Sequence, residues 1–254
     1  MAALKKGLAI VGVFFVILAL WQLLVSYYAV TPIILPSPMA VLDEFLSSIG
    51  YFMTQAGWTL WLTVASFGLA IFFGVALAVL IVSSKLAEDT IYTMLVALNS
   101  IPKVALAPLF VVWMGVGPGP KVAIALMLAI FPIVIDTVLG LKSVDGDMIA
   151  LARVNSASRW AILRKILIPS ALPSLFAGMK VAISLALIGT IIGEFVGGSQ
   201  GLGFAILSAQ GQFDTPRLFV SIILLAIMGF ALFSLMELIE RLSIPWHSSV
   251  RRHA

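Results

Sequence analysis

The chain has 254 residues, of which 62% are hydrophobic and only 10% are charged, and its mean hydropathy is +1.17. Soluble globular domains contain about 45–50% apolar and about 25% charged residues, and a fold of this size cannot bury such an excess of apolar surface. The composition therefore excludes an ordinary soluble domain, including a large soluble catalytic or nucleotide-binding domain. It indicates a chain that lies mostly in lipid.

The inventory of reactive side chains excludes several kinds of site. The chain contains no cysteine, which excludes disulfides, thiolate metal sites and a cysteine nucleophile. Its two histidines, His247 and His253, lie in the last eight residues, which excludes a histidine-based site within the membrane, and we assign no catalytic residue and no metal ligand. The formal net charge of +4 is typical of basic cytoplasmic loops in a membrane protein and does not indicate a nucleic-acid partner.

Six apolar segments are long enough to cross a bilayer, which takes about 20 residues of helix. They cover residues 7–30, 58–82, 91–114, 122–141, 171–193 and 218–236. Pro102 and Pro108 interrupt the third segment, and Pro132 lies within the fourth, where each proline is expected to kink the helix. The first segment is too long for a cleaved signal peptide and is expected to be retained. The sequence predicts an all-α membrane protein with six transmembrane helices in a single domain, residues 1–254.

The placement of Lys and Arg sets the orientation of these spans, because cytoplasmic loops carry an excess of both. If the N-terminus is cytoplasmic, that side holds 11 of them: Lys5, Lys6, Lys85, Lys142, Arg153, Arg159, Arg164, Lys165, Arg241, Arg251 and Arg252. The other side holds two, Lys121 and Arg217, while Lys103 and Lys180 lie within predicted spans. The asymmetry predicts that both termini are cytoplasmic. On the outer side, the amphipathic stretch Val41–Tyr51 is expected to form a short interfacial helix.

The longest cytoplasmic loop, residues 143–170, contains two helical patterns separated by a break at residues 155–158. Ser158 is a suitable N-cap for the second helix, and Pro169 is expected to end it. The apolar residues at helical spacing are Met148, Ile149, Leu151, Ala152 and Val154, then Trp160, Ile162, Leu163, Ile166 and Leu167. A helix pair too short to span must bury its apolar face against a soluble partner, the lipid interface or the protein's own helices.

This loop resembles the EAA loop of ABC-importer permeases, whose pattern is close to Glu-Ala-Ala-x-x-x-Gly-Ala-Ser with a Leu-Pro-x-x-x-Pro further on. The matching residues are Ala152, Arg153, Ala157, Ser158, Pro169 and Pro173. Two positions depart from the pattern, since Ala150 stands where the family has Glu and Ser156 where it has Gly. Because glycine permits a left-handed turn at that position, Ser156 must either adopt another turn or be strained.

Shorter motifs extend the resemblance along nearly the whole chain, to the nitrate, sulfonate and taurine branch of these permeases. They are Ile34-Leu-Pro-Ser-Pro38, Ile101-Pro102, Ala107-Pro108-Leu109, Trp113-Met-Gly115, Phe131-Pro132, and Glu194 with Gly201-Leu-Gly203. The resemblance implies the type I ABC importer permease fold in a multi-pass protein of the bacterial inner membrane. It further implies that this chain performs no chemistry and binds no cofactor itself.

The resemblance also implies partners: a second permease copy, two cytoplasmic ATPase subunits that bind ATP and Mg, and an external solute-binding protein that delivers the substrate. The substrate would be a small organic or inorganic anion such as a sulfonate, taurine or nitrate, or a small heterocycle. The loop residues that would couple the permease to the ATPase are Leu151, Ala152, Arg153, Val154, Ser156, Ala157, Ser158, Arg159, Trp160 and Leu163.

Residues that could line the pathway or form a gate are fewer, and each has a structural alternative. The candidates are Trp113, Met114, Phe131, Lys180 and Glu194. Carboxylates within membranes favour a functional hypothesis, yet Glu194 and Asp136 also suit buried hydrogen bonds. The pair Gly189 and Gly193 permits close helix approach, within the bundle or at a dimer seam.

Three other functions compete with an ATP-driven importer. A proton-coupled secondary carrier would use carboxylates such as Asp136 and Glu194, but no histidine relay accompanies them. A channel would need polar rings around a pore, of which the sequence offers few. An intramembrane enzyme would need a constellation of nucleophile and base or of metal ligands.

Overall fold

A computed structural model describes residues 2–245, with the side chains of residues 12, 13 and 15–245. Within that range the regular secondary structure is helical, without a strand, as the sequence predicts. Both histidines, together with Arg251 and Arg252, lie outside the described residues.

The helices are, in chain order, α1 (Ala2–Tyr27), α2 (Pro38–Ser47), α3 (Ile49–Ser83), α4 (Lys85–Asn99), α5 (Lys103–Met114), α6 (Pro118–Lys142), α7 (Gly146–Val154), α8 (Arg159–Gly197), α9 (Leu202–Gly211) and α10 (Thr215–Ser243). Four of them, α3, α6, α8 and α10, are long and apolar enough to cross a membrane. The pair α4 and α5, bent by 83°, makes a fifth candidate. In α1 the described apolar part, Phe15–Tyr27, is shorter than a span.

The chain forms two compact units, and the first comprises residues 1–58 and 200–226. Its apolar core brings Val41 of α2 and Phe52 of α3 together with Val220 of α10. Polar contacts reinforce this core, since Arg217 donates to Glu44 over 2.9 Å and the backbone N–H of Gly201 donates to Gln55 over 2.6 Å. The unit therefore ties the short helices α2 and α9 to the ends of two long ones.

The interfacial helix of the first unit lies close to its predicted position but with shifted ends. It begins at Pro38, where the Ser37 hydroxyl accepts a hydrogen bond from Ala40 N over 3.2 Å, and it ends at Ser47 instead of Tyr51. The next helix, α3, starts at Ile49, well before the predicted residue 58. The predicted start marked only the apolar segment. The helix itself also includes residues with polar side chains before that segment, such as Thr54 and Gln55.

The second unit, residues 59–199 and 227–254, is organised by the antiparallel packing of α6 against α8. Glycines of these helices lie so close to the opposite helix that a side chain would not fit. A Cβ at Gly189 would lie 2.5 Å from Ala125 Cα, and one at Gly193 would lie 2.7 Å from Lys121 Cα. Gly178 faces Pro132, and Gly140 of α6 faces Ala171, in the same way. The Gly189–Gly193 pair is thus a contact within the bundle.

The prolines act differently from one another. Pro102 separates α4 from α5 at the 83° bend, whereas Pro108 lies in the first turn of an α-helical segment, where a missing N–H costs nothing. Helix α6 runs without interruption through Pro132.

The prediction that Pro169 ends the second loop helix is wrong, because α8 continues from Arg159 to Gly197. A π-helical turn at Leu163–Leu167 ends two residues before the proline. Proline lacks an N–H, and its ring clashes with the carbonyl four residues earlier in a regular α-helix. The wider turn relieves that clash, so the loop helix and the long apolar helix form one element.

We expect the α6–α8 contact to be sensitive to a single methyl group. Gly189→Ala should destabilise the protein by about 1–3 kcal/mol, the usual cost of overpacking. Gly68→Ala is the matched control, because a Cβ at Gly68 would have no atom of the surrounding structure within 4 Å and alanine is the better helix former. The measurement is the free energy of unfolding in mixed micelles, and equal values for the two variants would contradict the described packing.

Candidate functional site

The loop 143–170 carries an exposed apolar face on α7. Asp145 is the N-cap of this helix, and its carboxylate accepts a hydrogen bond from Asp147 N over 2.9 Å. Leu151 is 65% exposed and Val154 is 81% exposed, and Met148 of the same helix is also exposed. These three residues recur at every third position and so share a broad face of the helix. Such a face is typical of a surface that a partner covers.

The turn after α7 is left-handed at Ser156, which has a φ of 57°. Ser156 N donates to Arg153 O over 2.9 Å, and Ala157 N donates to Ala152 O over 3.0 Å. These two bonds form a Schellman motif, which requires a left-handed residue at its centre. Of the two alternatives for Ser156, the strained conformation is therefore the one adopted.

The second part of the loop begins as predicted. The Ser158 hydroxyl accepts a hydrogen bond from Ala161 N over 3.2 Å and caps the helix. Trp160 is 66% exposed, whereas Ile162 is buried. Leu163 is half-buried and faces a cavity on the inner side of the loop. Leu163 is therefore less accessible to a partner than Leu151, Val154 and Trp160.

The pathway candidates Trp113 and Met114 lie on α5, and Phe131 lies on α6. Trp113 and Met114, at the end of α5, are exposed, and the Trp113 ring stacks edge-on against Phe110 with centroids 5.9 Å apart. Phe131 of α6 is half-buried beneath the ammonium group of Lys103, which lies 5.5 Å from its ring centroid. A pathway role for these residues stays a prediction.

Lys180 has an acidic partner that the sequence analysis missed. Its Nζ lies 2.7 Å from a carboxylate oxygen of Glu240, which belongs to α10 and is buried. The pair joins α8 to α10 and balances the charge of Lys180. The sequence signal was weak, because the two residues are far apart in the chain and Glu240 follows the predicted end of the last span.

Glu194 is fully buried and belongs to a cluster of polar side chains between α3 and α8. The Thr59 hydroxyl donates to Glu194 Oε1 over 2.8 Å, and the Thr63 hydroxyl lies 3.2 Å from that of Thr190. Each helix thus contributes two polar residues spaced four apart, which places them on one face. That spacing was the signal that could have identified the threonines from sequence.

Asp136 is half-buried on α6 at the seam with α8, where its side chain packs against the backbone of Gly178. Among residues 2–245, no three His, Cys, Asp or Glu side chains are grouped closely enough to hold a metal ion. Glu194 and Asp136 each contact a neighbouring helix, Glu194 through Thr59 of α3 and Asp136 through Gly178 of α8.

The strain at Ser156 generates a prediction about stability. Ser156→Gly should stabilise the protein by about 1 kcal/mol, because glycine adopts the left-handed conformation without a steric penalty. Ser156→Val should destabilise it, since a β-branched side chain tolerates this conformation least. The measurement is the thermal unfolding of the purified protein, and the same stability for both variants would show that the turn imposes no strain.

Comparison with known proteins identifies relatives along most of the chain. Residues 70–244 match the family model described as "Binding-protein-dependent transport system inner membrane component". The formylaminopyrimidine transport permease protein ThiX of Halalkalibacterium halodurans is 32% identical over 92% of this chain and 93% of its own. The riboflavin transport system permease protein RibX of Chloroflexus aurantiacus is 35% identical over 92% and 88%.

A third relative and a solved structure extend the comparison. The putative aliphatic sulfonates transport permease protein SsuC of Bacillus subtilis is 28% identical over 96% of this chain and 88% of its own. A chain of the MetNI methionine ABC transporter in an inward facing conformation shares the fold, with a TM-score of 0.65 at 20% identity over 77% of this chain and 97% of that one. The resemblance based on the loop motif is confirmed: the chain belongs to the family of inner membrane components of binding-protein-dependent transport systems, the ABC transporter permeases.

Proposed function

We propose that this chain is the transmembrane subunit of an ATP-driven importer of a small solute. It works as a homodimer with two cytoplasmic ATPase subunits, which bind ATP and Mg, and with an external binding protein that delivers the substrate. The observation that carries the proposal is the exposed apolar face of Met148, Leu151 and Val154 on α7, in the loop whose sequence matches the EAA pattern. Family membership supports it, since the matching family is defined by dependence on a binding protein.

The topology that we propose has six spans with both termini in the cytoplasm of a bacterium, in the inner membrane. In this arrangement α1 is the first span and the bent pair α4 and α5 is the third. The other four spans are α3, α6, α8 and α10, which have the necessary length and composition. The excess of Lys and Arg on one side supports the orientation.

In the proposed mechanism the loop is a lever. A short helix with apolar anchors binds in a groove of its partner, and ATP-driven closure of the ATPase pair moves that groove. Because α8 is one helix from Arg159 to Gly197, about 58 Å long at 1.5 Å per residue, it transmits the motion across the membrane. The glycine contacts hold α6 against α8, so both helices move together as a rigid body.

The proposed substrate is a small organic or inorganic anion, such as a sulfonate, taurine or nitrate, or a small heterocycle. The named substrates of the relatives support this range, since they include a formylaminopyrimidine, riboflavin and aliphatic sulfonates. Trp113, Met114, Phe131, Lys180 and Glu194 are the pathway or gate candidates. Among these, Lys180 is already paired with Glu240, so a role in attracting an anion would require that pair to open.

A proton-coupled carrier is the alternative, and no described contact favours it. Glu194 is buried and accepts a hydrogen bond from Thr59, and Asp136 packs into the α6–α8 seam. Residues 2–245 contain no histidine that could complete a proton relay with either carboxylate.

The energy source distinguishes the two functions. With a labelled sulfonate or pyrimidine that cells accumulate only when the permease is present, uptake should stop when ATP is depleted. It should continue when an uncoupler removes the proton gradient but ATP is maintained. Uptake that survives ATP depletion and collapses with the uncoupler would refute the importer.

The docking role of the loop has its own test. Leu151→Glu places a charge in the exposed apolar face, so the ATPase should no longer co-purify with the permease. Leu86→Glu is the matched control, because Leu86 is 74% exposed and lies in the first turn of α4, outside the loop. If both variants retain the ATPase equally, the loop is not its docking surface.

A further inference from the structure

A cleft of about 1060 Å³ lies on the inner side of the loop, in the second unit of the chain. Its walls are the last turns of α3 and α6, the inner face of α7 and the first turns of α8. Val82 and Leu141, which line it, each lie one residue from the end of a long apolar helix. In the proposed topology the cleft lies where the predicted spans 58–82 and 122–141 end, at the boundary between hydrocarbon and headgroups.

The wall of this cleft combines apolar and cationic groups. Ile149, Ile162 and Leu167 contribute apolar surface, while the cationic side chains are those of Lys142, Arg153 and Arg159. Lys142 is paired with Glu88 over 2.5 Å. Within the part of the chain that the structure describes, Arg153 and Arg159 form no ion pair. The loop's own acidic residues, Asp145 and Asp147, do not line the cleft.

The cleft and the proposed ATPase-docking face are on opposite sides of α7. Met148, Leu151 and Val154 point outward, whereas Ile149 and Arg153 line the cleft. With 100° between successive residues, the centres of these two groups are separated by about half a turn of the helix. A protein bound to the outer face leaves the inner one to another ligand.

We propose that this cleft binds an anionic phospholipid from the adjoining leaflet. Arg153 and Arg159 hold its phosphate, which suits the planar, multiply donating guanidinium group, and the acyl chains lie against the apolar wall. Trp160, at the rim, is the kind of amphipathic aromatic residue that favours the headgroup region. The inference rests on the proposed function only for placing the loop on the cytoplasmic side, where anionic lipids attract basic segments.

A lipid in this position would support the loop from its inner side. The cleft separates α7 from the ends of α3 and α6, so a bound lipid fills the space across which the lever would otherwise bend. The anionic lipid would thus act as a structural element of the coupling loop.

The test is a titration of the purified full-length permease with phosphatidylglycerol and with phosphatidylcholine of the same acyl chains, read by native mass spectrometry. We expect phosphatidylglycerol to bind more tightly. In the double variant Arg153→Gln/Arg159→Gln its apparent Kd should rise by about 25-fold, or about five-fold for each charge. Phosphatidylcholine binding should not change, and Arg153→Lys/Arg159→Lys should retain the preference in part.

The matched control is Arg164→Gln/Lys165→Gln, which removes the same charge from the same loop at positions that do not line the cleft. If this control binds phosphatidylglycerol with wild-type affinity, the site is supported. If both double variants bind it equally weakly, the lipid is attracted by the general positive charge of the loop, and the proposal is overturned. Melting temperatures measured without added lipid verify that each variant is folded. Competition by glycerol 3-phosphate at the same concentration as lipid would show a small-anion site and would also overturn it.

A second experiment adds the ATPase to the lipid-bound permease and measures whether the lipid stays bound. Retention of phosphatidylglycerol supports a lipid site, and stoichiometric release would identify the cleft as part of the protein interface and overturn the proposal. Because the titration uses neither nucleotide nor substrate, its failure leaves the importer proposal intact. Conversely, loss of ATP-dependent uptake or of ATPase co-purification would not affect the lipid measurement.

Discussion

The close contact between α6 and α8 is the constraint on which the rest of the second unit depends. Gly140, Gly178, Gly189 and Gly193 each lie where a Cβ would collide with the opposite helix. In lipid the hydrophobic effect does not drive helices together, so close backbone approach and dispersion contacts must do so. The four positions are spread along most of both helices and fix one antiparallel register between them.

This register determines what the ends of α8 can do. At one end α8 is continuous with the loop that carries Trp160, and at the other it carries Glu194 into a buried cluster with Thr59 of α3. Near its middle, Lys180 is paired with Glu240 of α10. A displacement of the loop end therefore acts on a helix that is bound to α6 by packing and to α3 and α10 by polar contacts. Such contacts favour discrete arrangements over gradual bending.

The loop was largely predictable because its signals are local. The break at residues 155–158, the Ser158 cap and the apolar positions of α7 all follow from residues within a few positions of one another. The effect of Pro169 was not predictable in this way, because a proline signal does not reveal that a π turn precedes it and relieves the clash. Similarly, the sequence left two alternatives for Ser156, and only the backbone showed the left-handed one.

Three properties could be inferred from the amino-acid sequence: the chain lies in a membrane, its secondary structure is helical, and it belongs to the family of ABC transporter permeases. Composition, apolar segment length and motif spacing are properties of consecutive residues, so they need no knowledge of the fold. The packing of the helices was needed to show that Gly189 and Gly193 face α6, that Glu240 is the partner of Lys180, and that Thr59 donates to Glu194. Those contacts join residues far apart in the chain, and they depend on which helices pack against each other. Hydrophobicity does not predict this pairing, because helices in lipid are apolar on the sides that face lipid as well as on the sides that face other helices.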